Sequence, residues 1–182
     1  GMRLGNLSKA ARGYRLAQNY QGDEVKSLPL VATNEEDTVE QCFVKSLEHA
    51  LSHWHYHEQI YFEQSSLVSL QQIGDSISFI RQILTVFGGI VPRRASAILR
   101  QELKWLDEEL SWLKTADYID DLCEDKGHAL RKLDARKHLV KRLQEQKQQL
   151  PEKGEVMALL TSARYTALLL DLSRWLMAKG WQ

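Results

Sequence analysis

Four histidines lie close together in the sequence, at His49, His53, His55 and His57. His49, His53 and His57 are spaced four residues apart, which places them on one side of a helix. A histidine pair at i and i+4 can bind a metal ion, but no cysteine or acidic residue completes the ligand set locally. We therefore expect packing and hydrogen-bonding histidines and no metal site, with phosphate contact by His53 and His57 as an alternative.

Basic residues cluster after Pro92. Arg93 and Arg94 follow it directly, and Arg100 and Lys104 come further along. Because proline fits the first turn of a helix, where its missing N–H costs little, we place Arg93 and Arg94 in such a turn. Free N–H groups and the helix dipole attract anions there. The cluster therefore predicts either a phosphate-binding site or a solvated helix end.

No local motif in the rest of the sequence assigns a reaction. The basic residues of the segment 132–142 are interleaved with acidic ones, which is typical of a solvated helix face. The carboxylates form no acid–base pair with a defined geometry. There is no glycine-rich phosphate loop and no Ser–His–Asp order. The sequence therefore predicts no catalytic residue.

Two amphipathic helices are predicted between residues 70 and 113. Their apolar residues, spaced alternately three and four apart, lie on one face of each helix. These residues are Leu70, Ile73, Ile77, Ile80, Leu84 and Phe87 in the first, and Leu99, Leu103, Leu106, Leu110 and Leu113 in the second. Gly88 and Gly89 end the first helix. With a connection of about five residues, the two helices must pack antiparallel.

The remaining segments complete the predicted fold, an all-α, up-and-down antiparallel bundle of four to five helices. A long helix starts near Asp37 or Thr38, and Ser65 or Ser66 caps the next one. The apolar stripe of the long helix consists of Val39, Phe43, Leu47, Ala50, Trp54, His57 and Tyr61. A charged helix covers 128–150, and Pro151 and Gly154 mark a turn. The most apolar segment, 155–178, forms one last helix that is buried or awaits a partner.

Composition limits the classes of function. Lys and Arg together number 24, as do Asp and Glu, so the formal net charge is zero. A neutral chain argues against a nucleic-acid partner. No apolar run reaches the roughly 18 residues of a membrane span, which argues against a membrane partner. Cys42 and Cys123 form no CxxC pair, so we expect a reducing, cytoplasmic location.

Two stretches resemble known families. Residues 6–14, NLSKAARGY, resemble the closing helix of CYTH domains, which are triphosphate-tunnel β-barrels. From about residue 38 the chain resembles the first half of a CHAD domain. The segments WHYHE at 54–58 and FGGIVPRRAS at 87–96 look like those of bacterial two-domain inorganic triphosphatases, in which CHAD follows CYTH. The resemblance implies a truncated CYTH domain at 1–20, a linker at 21–37 and a CHAD-like bundle at 38–182.

The CYTH resemblance implies an enzymatic parent protein. In that family basic tunnel residues hold the triphosphate and glutamates hold the metal. The parent is therefore expected to need Mg²⁺ or Mn²⁺, and this chain alone to hold no cofactor. Lys9 matches a lysine near the start of the closing helix and is the one tunnel residue carried over. CYTH domains include inorganic triphosphatases, thiamine triphosphatases and class IV adenylate cyclases. The candidate substrates of the parent protein are therefore tripolyphosphate, thiamine triphosphate and ATP.

The resemblance also implies neighbours in the same chain. They are a CYTH domain upstream and a second helical bundle downstream. Gly1 ahead of Met2 is typical of an expression scar and suggests a piece of a longer protein.

The CHAD resemblance comes with departures at basic positions. Several CHAD domains bind polyphosphate on basic inner surfaces. When the sequence is aligned on Phe87, the family's histidine position holds Gln71, and three arginine positions hold Gly74, Ser78 and Phe79. Only Arg81 matches. Downstream, ELKWL at 102–106 matches well, but the usual Arg-Asp pair is replaced by Lys114 and Thr115.

Polyphosphate affinity depends on many simultaneous charge contacts. The loss of these arginines should therefore weaken polyphosphate binding strongly. The sequence therefore predicts a non-catalytic accessory or regulatory CHAD domain of a CYTH-type triphosphatase. The alternative is a module that binds polyphosphate or another polyanion, with triphosphate as a further candidate ligand. Its candidate phosphate-binding residues are Lys9, His53, His57, Arg81, Arg93, Arg94 and Lys104. A third possibility is an interaction scaffold that uses the apolar last helix.

Overall fold

A computed structural model describes residues 27–28, 31–113 and 151–182. The described part contains five helices and no strand, which confirms the all-α prediction. The helices are α1 (Val39–Gln64), α2 (Leu67–Val86), α3 (Ala97–Glu109), α4 (Lys153–Leu160) and α5 (Ala163–Met177). The predictions for Lys9, Cys123, Lys114, Thr115 and the charged helix at 128–150 lie outside the described residues.

The first two helices begin at side-chain caps. The Thr38 hydroxyl accepts the Gln41 N–H at 3.2 Å, and the Gln41 side chain accepts the Thr38 N–H at 2.7 Å. This reciprocal pair satisfies two N–H groups that the helix itself cannot. Ser65, at φ 54°, ends α1 in the left-handed region, and Ser66 caps α2. The predicted start at Thr38 and cap at Ser66 are therefore confirmed, and two residues reverse the chain.

Helices α2 and α3 pack antiparallel, as predicted. Arg100, near the start of α3, donates to the Leu84 carbonyl near the end of α2, whereas Asp107 further along α3 accepts from Ser78, earlier on α2, at 3.5 Å. The predicted seam is buried except for Phe87, which is half-buried at the end of α2. The buried seam residues are Leu70, Ile73, Ile77, Ile80, Leu84, Leu99, Leu103, Leu106, Leu110 and Leu113.

Helix α5 closes the core against α1 and α3. The Trp54 indole of α1 donates to the Tyr165 hydroxyl at 2.8 Å, and the Phe43 ring lies 6.2 Å from that of Trp175. Low residue numbers on α1 thus meet high ones on α5, so these helices are antiparallel too. The four longest described helices therefore alternate in direction, as in an up-and-down bundle.

The last apolar segment differs from its prediction, since it forms two helices rather than one. Helices α4 and α5 meet at a bend of 44°. Ser162 causes the break, because its hydroxyl accepts the Tyr165 N–H at 3.2 Å and starts a new helix. Gly154, predicted to mark a turn, lies in the first turn of α4.

Two further apolar residues lie at the surface. Leu170, in the predicted buried helix, is 49% exposed, and Val39, in the predicted stripe of α1, is 61% exposed because it is the first residue of its helix. None of the described helices is long and apolar enough to span a membrane alone, although α4 and α5 together have the necessary length and composition across their bend.

Candidate functional site

The candidate site is a groove between α2 and α3, about 620 Å³ in volume, which we call the α2–α3 groove. Three cationic side chains line it, Arg81 from α2 and Arg100 and Lys104 from α3. They come together because the antiparallel packing sets the end of α2 beside the start of α3. The complete lining is Ser78, Arg81, Gln82, Thr85, Val86, Arg100, Lys104 and Asp107.

Each cation of the groove already has a partner within the protein. Arg81 forms an ion pair with Asp107, whose side chain is only 20% exposed. Lys104 lies 3.4 Å from Glu108, but both side chains are 65% exposed, so solvent screens that pair. The Arg81–Asp107 pair opposes anion binding more than the Lys104–Glu108 pair does, because the less exposed carboxylate of Asp107 is less screened by solvent.

Arg100 is held most firmly. Its Nε donates to the Ser96 hydroxyl at 2.8 Å, and its Nη2 donates to the Leu84 carbonyl. Burial and, to a lesser extent, the nearby charge of Arg93 lower the pKa of Arg100, although a guanidinium stays protonated at neutral pH. Arg100 therefore links the two helices through two of its five N–H donors.

Arg93 and Arg94 are not in the first turn of a helix, and that prediction was wrong. The Pro92 carbonyl accepts the Ala95 N–H at 3.0 Å, which closes a turn. Helix α3 starts only at Ala97, so the connection from α2 covers residues 87–96 and is longer than predicted. Both arginines are exposed on this turn.

The two arginines also point to different places. Arg93 lies near enough to Arg100 for its positive charge to contribute to the lowered pKa of Arg100. Arg94 instead lines a separate cavity beside Trp175. The predicted basic cluster is therefore divided between two sites.

Two histidines of α1, His53 and His57, are buried in the bundle, as expected for packing residues, whereas His49 and His55 are half-buried. His53 Nδ1 lies 2.8 Å from the Ser76 hydroxyl, which itself donates to the Gln72 carbonyl at 2.8 Å. The hydroxyl has one proton, so Nδ1 of His53 is the donor. His53 is 7% exposed and His57 fully buried, with their ring centroids 4.3 Å apart.

These positions separate the histidines from the candidate groove. Neither His53 nor His57 lines the α2–α3 groove, and phosphate contact by them stays a prediction. Within the described ranges, no group of three or more His, Cys, Asp or Glu side chains is arranged to hold a metal ion.

Sequence reasoning missed a buried polar contact between α1 and α5. The hydroxyl of Tyr165 accepts from the Trp54 indole at 2.8 Å and hydrogen-bonds to the Glu58 carboxylate. Burial, reinforced by the charge of Glu58, raises the pKa of Tyr165 well above its ordinary value. The spacing of Trp54 and Glu58 was a signal, because i and i+4 share a helix face. Nothing local indicated the partner, 111 residues from Trp54.

A family model described as CHAD domain matches residues 45–181. The match extends from α1 to beyond the end of α5. It includes every residue that lines the α2–α3 groove and all three residues of the Trp54–Tyr165–Glu58 contact.

Proposed function

Because this chain belongs to the CHAD domain family, we propose that it is the non-catalytic helical accessory domain of a bacterial CYTH-type inorganic triphosphatase. It supports or regulates a catalytic barrel that lies upstream in the same protein. That barrel carries the chemistry, with Mg²⁺ or Mn²⁺ neutralising the phosphate oxygens. The support for the upstream partner is the resemblance of residues 6–14 to the closing helix of CYTH domains.

The observation that carries the proposal is the pairing of the groove cations. A phosphate that approached Arg81 would meet a charge that Asp107 already neutralises, and two of the donors of Arg100 are used within the protein. Helix α2 also has Gly74 and Ser78 at positions where the CHAD resemblance implies arginine. A polyphosphate chain would therefore meet few available charges.

One observation favours a second candidate function, a polyanion-binding module. Arg81, Arg100 and Lys104 line one groove of about 620 Å³, and Arg93 lies near Arg100. Cations brought together in this way raise the local concentration of anions even when each has an internal partner. In this alternative a polyphosphate replaces Asp107 and Glu108 as the partner of Arg81 and Lys104.

A titration with long-chain polyphosphate at about 50 mM and 200 mM salt separates the two functions. We expect weak binding of the unmodified chain, with a dissociation constant of about 10⁻⁴ M or weaker at the higher salt, which is the weak end of the range for non-specific polyanion contacts. Asp107→Asn should strengthen binding several-fold, because it frees Arg81. The matched control Glu48→Gln changes the net charge equally at an exposed position of α1 that lines neither this groove nor the cavity beside Trp175, and it should leave the affinity nearly unchanged.

The accessory-domain proposal fails if the unmodified chain binds polyphosphate with micromolar affinity at 200 mM salt and Lys104→Ala removes most of that binding. That result would identify the groove as a binding module.

A further inference from the structure

A second cavity lies between the turn before α3 and the end of α5, and we call it the α3–α5 pocket. It has a volume of about 400 Å³. Its apolar lining includes Ile98, which is 74% exposed, and Leu99, which is 5% exposed. Apolar surface therefore runs from the mouth of the pocket down to the core. A concave, largely apolar pocket with a few polar groups is typical of a small-molecule site.

Trp175 forms a fixed wall of this pocket. Its indole Nε1 donates to the Ala95 carbonyl at 3.0 Å, and its ring packs against that of Trp181 with centroids 5.3 Å apart. The ring also packs against Gly180. A Cβ atom added at Gly180 would lie only 2.2 Å from Cδ1 of the Trp175 ring, so any larger residue there would clash with it. These contacts hold the indole in place before any ligand arrives, which lowers the ordering cost of binding.

Charged side chains of both signs line the same pocket. They are Arg94, on the turn before α3, and Asp171 and Arg174, on α5. All three are exposed. Unlike the cations of the α2–α3 groove, neither guanidinium forms an ion pair or a side-chain hydrogen bond within the described part of the chain. Two guanidiniums against one carboxylate leave one net positive charge, which suits a monoanion better than a phosphate chain.

We propose that the α3–α5 pocket binds a small amphipathic anion, an apolar group about the size of a bicyclic ring that carries one carboxylate. The apolar part packs on Trp175 and Ile98. The carboxylate pairs with Arg94 and Arg174, whose forked donors match its geometry. This site is independent of the accessory role proposed above, so either proposal can fail alone.

The test is an NMR titration of the whole chain with 1-naphthoate, its neutral analogue 1-naphthamide, and inorganic phosphate. We expect naphthoate to shift the Trp175 indole N–H and the Gly180 amide saturably. Naphthamide should bind about tenfold more weakly because it lacks the charge, and phosphate should leave both signals unmoved. The double variant Arg94→Gln, Arg174→Gln should reduce naphthoate affinity to that of naphthamide. Unchanged naphthamide binding in this variant shows that it is folded.

Three outcomes would overturn the inference. They are equal affinities for naphthoate and naphthamide, saturable shifts that map away from Trp175 and Gly180, and no saturable shift at millimolar naphthoate.

Discussion

Leu84→Ala should lower the free energy of unfolding by roughly 2–5 kcal/mol. Leu84 is fully buried in the shared core, and its carbonyl accepts a hydrogen bond from Arg100 of α3. Truncation removes apolar contacts and leaves a cavity, because the surrounding helices relax only in part. Chemical denaturation followed by circular dichroism measures the loss, provided that the slope of the transition is unchanged.

Val86→Ala is the matched control for this substitution. Val86 lies on the same helix but is 77% exposed, so its replacement should change stability by no more than about 0.5 kcal/mol. An equally small effect of Leu84→Ala would reject the assignment of the α2–α3 seam as the core.

Tyr165→Phe should cost roughly 2–4 kcal/mol, since it removes one neutral and one charge-assisted hydrogen bond. The substitution keeps the ring but leaves the Trp54 indole and the carboxylate of Glu58 without their shared partner. Glu58 is only 5% exposed, so water cannot easily replace the lost donor. Tyr61→Phe is the control, because the Tyr61 hydroxyl has no hydrogen bond to another described residue, and its loss should cost about 0.5 kcal/mol or less.

The same tyrosine makes stability depend on alkaline pH. Its pKa is raised in the folded state, so above pH 10 or so the unfolded chain loses this proton first. Stability should therefore fall as the pH rises above that value, and the fall should be shallower in Tyr165→Phe. Equal alkaline slopes in both proteins, together with a loss of stability below about 0.5 kcal/mol, would contradict the role given to this contact.

Much of the fold could be predicted from the sequence because helical packing follows apolar periodicity. The alternating spacing from Leu70 to Leu84 allows one buried face, and that face is buried. The caps at Thr38 and Ser66 were also predictable, since their hydroxyls satisfy N–H groups in the adjacent turn. These features depend on neighbours a few residues away.

The parts that sequence reasoning missed depend on competition or on distant partners. Pro92 could have opened a helix, but its carbonyl closes a turn with Ala95 instead. In α5 the cap formed by Ser162 outweighs the continuous apolar pattern. The pairing of Arg81 with Asp107, 26 residues away, follows only from the register of two packed helices.

The pairing of cations in the α2–α3 groove likewise depends on partners that are distant in the sequence. Resemblance singled out Arg81, whereas its neutralisation by Asp107 required the packed structure. For the same reason the buried partner of Trp54 and Glu58 on α5 could not be found from local spacing.

The central claim is that this domain assists phosphate chemistry without performing it. The most direct test is phosphate release from tripolyphosphate with Mg²⁺ or Mn²⁺, comparing this chain with one extended upstream through a complete CYTH barrel. Phosphoryl transfer needs several cations around one phosphate chain and carboxylates that hold the metal. We predict release by the extended protein and none above background by this chain alone. Comparable turnover by this chain, abolished by Arg93→Ala, would contradict the account.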